Sequence, residues 1–92
     1  MKIRFSPEAK TAIETVESYY AEHSSSACHN VMIDIYDVFD LLSHNPEAGR
    51  LHRSQSFRLM VSGKYRFVVT YVVHPKYIEI IDIYRHQNRD YS

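Results

Sequence analysis

Hydrophobic positions recur with a helical period through the first half of the chain, and with a two-residue alternation at its start and through its second half. Residues 2–5 alternate, with Ile3 and Phe5 on one side and Lys2 and Arg4 on the other, as a half-buried strand requires. Ser6-Pro7-Glu8 then reads as a helix start. Ser6 caps free N–H groups, Pro7 stands where its missing N–H is not needed, and Glu8 meets the positive end of the helix dipole. The stripe Ala9, Ala12, Ile13, Val16, Tyr19 and Tyr20 predicts a helix to about residue 23, broken by Ser24-Ser25-Ser26. A second helix is expected to begin between residues 27 and 30, burying Met32, Ile35, Tyr36, Phe39 and Leu42. Asp34, Asp37 and Asp40 fall between these positions and read as a solvated outer face, not a metal site. Pro46 disfavours helical geometry at Asn45 and ends the helix. The two helices, roughly 18 and 15 residues long, form an antiparallel hairpin.

After a polar loop over residues 47–55 the period changes. Residues 56–61 place Phe57, Leu59 and Val61 on one side and Arg58 and Met60 on the other. Ser62-Gly63 signals a tight turn, and residues 65–74 are apolar on both faces, as in a central strand. His74-Pro75-Lys76 turns the chain into an isoleucine-rich last strand over residues 77–85. The expected fold is α+β in the order β-α-α-β-β-β: an N-terminal strand, the antiparallel helical hairpin, and a three-stranded antiparallel meander with one face under the helices. Tyr20, Ile35, Phe39, Leu59, Phe67, Val69 and Ile81 are expected in the core. Residues 1–92 read as a single domain without internal repeats.

Composition narrows the function classes. A chain of 92 residues buries only about 60–65% of its unfolded surface, so its core is thin. Cys28 is the lone cysteine, which excludes an internal disulfide and suits a reducing compartment. The N-terminal residues lack the apolar core of a signal peptide, and no run approaches the roughly 18 apolar residues of a membrane span. A cytoplasmic protein without membrane contact is expected. The six histidines, His23, His29, His44, His52, His74 and His86, show no zinc-ligand spacing, and Cys28 and His29 are adjacent. The two glycines stand 14 positions apart, so there is no phosphate-cradling loop. Neither a metal nor a cofactor is expected.

Charge adds more than its total of zero suggests. Residues 6–45 carry Lys10 against seven acids, a net of −6, whereas residues 46–92 carry eight bases against four acids, a net of +4. An acidic front half is thus joined to a basic back half, and the latter suits an acidic partner.

The element order and several local patterns resemble the RelE/ParE toxin superfamily of type II toxin–antitoxin systems. They are Phe5-Ser6-Pro7-Glu8-Ala9, then Asn45-Pro46-Glu47-Ala48-Gly49-Arg50, Phe57-Arg58-Leu59, Tyr65-Arg66 opening the strand to Tyr71, the segment 80–83, and His86-Gln87-Asn88-Arg89-Asp90. The resemblance covers nearly the whole chain and rests on the order of the patterns, since none is specific alone. It implies a growth-arresting, plasmid-stabilising toxin held in a hetero-oligomer by a cognate antitoxin. ParE-like members inhibit DNA gyrase, whereas RelE-like members are metal-independent endoribonucleases that cut messenger RNA, often on the ribosome. A non-toxic interaction module of the same fold is a further alternative.

Nuclease chemistry needs cations for the developing phosphate charge and a proton donor and acceptor. For that reading the candidates are Arg58, Lys64, Arg66, His86 and Tyr91. Arg58 and Arg66 would lie side by side on neighbouring strands, His86 would move protons, and Tyr91 would stack on a base. Structural readings stand beside these: Arg58 paired with Glu79 or Asp82, Lys64 solvated in a turn, His86 capping the last strand, and Tyr91 loose near the terminus. Arg58, Arg66, Arg85 and Arg89 are the candidates for meeting an acidic partner. The length of the hairpin, the patterns at residues 46–50 and 86–90, and the balanced total charge favour the ParE-like alternative.

Overall fold

The computed structural model describes residues 1–85. The chain runs β1 (Lys2–Phe5), α1 (Pro7–Ala21), α2 (Ser25–His44), β2 (Arg50–Leu51), β3 (Arg58–Val61), β4 (Phe67–Val73) and β5 (Tyr77–Arg85). All strands join one sheet in the order β1-β5-β4-β3-β2. The meander is antiparallel as expected, but β1 lies parallel to β5 with Ile3 beside Ile78 and Phe5 beside Ile80, so the sheet is mixed. β2 falls inside the predicted polar loop over residues 47–55; its two residues pair with Leu59 and Arg58 and extend the sheet by one short edge strand.

Serines set both helix starts. The Ser6 hydroxyl accepts from the Ala9 N–H at 3.0 Å with Pro7 in the first turn, and the Ser24 hydroxyl accepts from the Ala27 N–H at 2.9 Å. Ser24 is therefore a cap and Ser25-Ser26 are already helical, which makes α2 longer and α1 shorter than the apolar stripes implied. Ser6 also reaches across to β5. Its hydroxyl donates to the Ile81 carbonyl at 2.9 Å and its backbone N–H to the Ile80 carbonyl at 2.9 Å. The register between β4 and β5 slips at this point, Thr70 pairing with Asp82 and Tyr71 with Ile80. Ile81 is the extra residue of a bulge, and Ser6 takes the carbonyl that the ladder leaves over.

The core lies between α2 and one face of the sheet. Val31, Ile35, Phe39 and Leu42 pack with Phe67, Val69, Tyr71, Ile78, Ile80 and Ile83. Each fully buried aliphatic side chain here contributes about 2 kcal/mol relative to exposure. Ile35, Phe39, Phe67 and Val69 are buried as expected, and Tyr20 is half-buried against the core. Leu59 and Ile81 are only half-buried. On β3 it is Met60, in register with Val69, that faces the helices, so Leu59 faces away. Tyr36 stands outside the core, 51% exposed.

Asp34 departs most from the sequence reading, being 6% exposed where a solvated carboxylate was expected. Its two oxygens accept from the Lys64 N–H at 3.1 Å and the Tyr65 N–H at 2.8 Å, pinning α2 to the β3–β4 turn. That turn is wider than Ser62-Gly63 alone. It closes between Ser62 N–H and Phe67 O at 2.8 Å and between Phe67 N–H and the Ser62 hydroxyl at 2.9 Å, with Arg66 at φ 61°. Burial alone pushes the Asp34 carboxyl up. Hydrogen bonds from Ser62, Tyr65 and Lys64, with the Lys64 charge, outweigh it and hold the carboxyl below its ordinary value of 3.8.

An acid depressed in the folded state adds stability above its unfolded pKa and loses it as pH falls through the folded value. Asp34→Ala should therefore destabilise the protein by about 2 kcal/mol at neutral pH. In thermal unfolding this is a fall in Tm of roughly 8–16 °C. The gap to wild type should narrow in acid below about pH 4, where the wild-type carboxylate is itself being lost. A gap that stays constant down to acid pH would show that the carboxylate charge is not what holds the turn.

Candidate partner-binding surface

The segment Pro46-Glu47-Ala48-Gly49-Arg50 is gripped from β3 and β4. The Tyr71 hydroxyl, on a fully buried side chain, donates to the Pro46 carbonyl at 2.8 Å and accepts from the Gly49 N–H at 2.8 Å. The Arg58 guanidinium donates to the carbonyls of Gly49 at 2.8 Å and Glu47 at 3.3 Å. A Cβ on Gly49 would lie 2.7 Å from Tyr71 Cε1 and 2.8 Å from the Leu59 carbonyl, so only glycine allows this approach. Burial raises the Tyr71 phenol above its ordinary value; the Gly49 N–H and Arg58 offset this in part, and Glu47 adds to it. The pattern that stood out in the sequence is thus an anchored loop.

The other singled-out cations do not converge. Arg58 pairs in register with Tyr71, whereas Arg66 lies in the turn beyond Val61, about 10 Å of strand away. Arg58 meets carbonyls, not Glu79 or Asp82. Lys64 and Arg66 are exposed in the turn. Arg85 is turned inward: its guanidinium donates to the Tyr20 hydroxyl and lies 5.3 Å from the centre of the Phe67 ring. Its Nε is buried with no hydrogen-bond partner among the described residues. His86, Arg89 and Tyr91 lie outside the described residues.

What the fold does assemble is a separation of charge. Glu8, Glu14, Glu17, Glu22, Asp37 and Asp40 are all exposed on the helical layer, with Lys10 the opposing cation there. The sheet side exposes Lys2 and Arg4 on β1, Arg50 on β2, and Arg53, Lys64, Arg66 and Lys76 in the turns. None of these seven is ion-paired with a carboxylate among the described residues. The helical layer is thus mainly acidic and the sheet edges and turns mainly basic, with Glu79 and Asp82 the carboxylates on the outer sheet face among the described residues.

The chain matches, over residues 3–91, the family described as the ParE toxin of type II toxin–antitoxin systems, parDE. It belongs to the ParE toxin family. A solved structure entitled "Chromosomal ParDE TA system from P. aeruginosa" shares the fold, with a TM-score of 0.77 at 20% identity, covering 92% of this chain and 95% of that one. A comparison with curated proteins gives no match. Among the described residues, no helix of this ParE-family toxin is long and apolar enough to cross a membrane.

The sheet face turned away from the helices completes the surface. Registers place Leu59, Val61, Val68, Thr70, Val72 and Tyr84 on it. Val61 is 36% exposed and Leu59 and Val72 are half-buried, whereas Val68 and Thr70 at the centre of the face are buried, and Glu79 and Asp82 lie on it in register with Val72 and Thr70. At one end a row runs from β1 across β5 to the turn before it. The Arg4 guanidinium sits 4.7 Å from the centre of the Tyr77 ring, which stacks on His74 at 4.5 Å, and His74 Nε2 meets Glu79 Oε1 at 3.0 Å. The sequence reading missed this row because its members come from β1, β5 and the turn before it; only the parallel pairing of β1 with β5 brings Arg4 alongside Tyr77.

Two substitutions test the loop anchor. Gly49→Ala should lower stability by about 2–3 kcal/mol through overpacking against Tyr71 and the Leu59 carbonyl. Tyr71→Phe should lower it by about 1–2 kcal/mol by stripping partners from two backbone groups. Urea unfolding measures both, and stabilities equal to wild type would show that the loop is held otherwise.

Proposed function

We propose that this toxin arrests growth by inhibiting DNA gyrase through binding, and that a cognate antitoxin neutralises it by covering the apolar strip of Leu59, Val61 and Val72 on the outer sheet face. One observation carries the choice of gyrase over messenger RNA. The Arg58 guanidinium is committed to the Glu47 and Gly49 carbonyls, and Arg66 lies a strand length away, so the pair proposed for a phosphate transition state is not assembled. Membership of the ParE toxin family supports the same choice. For the antitoxin, the supporting feature is an apolar strip of Leu59, Val61 and Val72 between basic turns, suited to an acidic segment with apolar anchors.

The toxin freed of its antitoxin should block gyrase supercoiling and trap cleaved DNA, while messenger RNA in a translating extract stays intact. Cut messenger RNA with normal supercoiling would overturn the gyrase reading. Val61→Glu, placing a charge on the apolar strip, should weaken antitoxin binding by roughly tenfold or more in titration calorimetry, about 1.4 kcal/mol. Unchanged affinity would move the antitoxin off this face.

A further inference from the structure

We propose that His74 and Glu79 form a proton-linked contact in the antitoxin site, so that the toxin holds its antitoxin more tightly as pH falls through the histidine range. The inference rests on the placement of an acidic antitoxin segment on the outer sheet face, and its test separates the two.

Strand register sets Glu79 beside Val72, one of the three side chains of the apolar strip. An acidic segment lying over Val72 therefore meets a carboxylate of like charge. The group that answers this charge is His74, whose Nε2 lies 3.0 Å from Glu79 Oε1. The two side chains are 32% and 35% exposed, so a ligand can reach both. The imidazole is nevertheless held in place, stacked on Tyr77 at 4.5 Å.

The other charged groups around the pair are fixed in sign. On β1, Arg4 pairs in register with Glu79 but lies over the Tyr77 ring, and Lys2 pairs with Tyr77. Lys76 is exposed in the turn. None of these three cations is ion-paired with Glu79 among the described residues. Asp82, further along β5, lies beside Thr70 and accepts from the Ile83 N–H at 2.8 Å. On the β3 side, Arg58 is turned to the Glu47 and Gly49 carbonyls.

Imidazole is the side chain that changes charge between about pH 5 and 8, whereas carboxylates, lysine and arginine keep theirs. Protonated His74 cancels the Glu79 charge and leaves Arg4, Lys2 and Lys76 to attract an acidic segment. By linkage, a proton that tightens the antitoxin is itself held more tightly in the complex. Binding thus takes up protons, and the added affinity is present at low pH and lost as pH rises.

The test is titration calorimetry of the full chain with its cognate antitoxin. Between about pH 8 and pH 6 the wild type should gain about three- to fivefold more affinity than His74→Gln, the scale of a partly exposed ion pair. Glutamine keeps a donor for Glu79 but takes no charge, and the comparison cancels the other histidines of both chains. Proton uptake, read from buffers of differing ionisation enthalpy, should fall in His74→Gln by up to about a third of a proton. Glu79→Gln should bind about two- to threefold tighter than wild type at about pH 8, where the like charge is removed. Equal gains in wild type and His74→Gln would overturn the inference, as would weaker binding of Glu79→Gln at the higher pH. Val61→Glu reports separately on the strip. Weakened binding there with equal gains leaves the antitoxin on the strip and removes the proton link. Unchanged Val61→Glu binding with a gain lost in His74→Gln keeps the proton link and moves the antitoxin off the strip.

Discussion

The Asp34 carboxylate lies in the seam between α2 and the β3–β4 turn, where a charge persists only if its oxygens are hydrogen-bonded. Backbone N–H groups of the turn and the Ser62 hydroxyl provide those bonds, and Ser62 in turn receives the Phe67 N–H. Phe67 opens β4, the middle strand of the five, so the bond that seats the helix also sets where the central strand begins. Once Phe67 starts β4, the alternation puts Phe67, Val69 and Tyr71 under the helices and leaves Val68, Thr70 and Val72 on the outer face.

A sheet with one face under helices has a thin core, and here buried polar side chains add fixed points to it. Ser6 joins the end of β1 to the bulge in β5 while capping α1. Tyr71 and Arg58 tie the loop after α2 to the sheet. Each anchor leaves no buried partner unsatisfied, and each restricts how the two layers can slide. The bulge at Ile81 follows from the same economy of backbone groups, since the carbonyl it frees is taken by Ser6.

The two layers also divide the charge. Exposed acids stand on the outer helical surface, with Glu8 at the favourable first turn of α1, while the sheet edges and turns carry lysine and arginine, which discourage edge-to-edge pairing. The result is an acidic side built on α1 and α2 and a basic side centred on an apolar strip. Membership of the ParE toxin family places this surface in a toxin of a type II toxin–antitoxin system. Pairs of side chains expected to converge for phosphate chemistry have instead been absorbed into loop anchoring and turn geometry.

Local pattern determined both helices, four of the five strands in full or in part and the order of the elements, and the distribution of charged residues gave the division into an acidic and a basic half. Those features are local: a cap at Ser6, a stripe through Ile35 and Phe39, and alternation through β4 each depend on neighbours within a few residues. Resemblance of short patterns was enough to reach the family. Tertiary structure decided the rest. Asp34, spaced like the solvated Asp37 and Asp40, is buried because the β3–β4 turn meets it from thirty residues away. Leu59 and Met60 exchanged faces because register with Val69, not the alternation itself, selects which side meets the helices. Arg58 and Arg66 separated because the turn between them is held open by Asp34, and Arg4 reached Tyr77 because β1 pairs in parallel with β5. Local sequence sets the period of an element; which of its faces is covered, and which side chains become neighbours, depends on contacts between distant segments that no local pattern encodes.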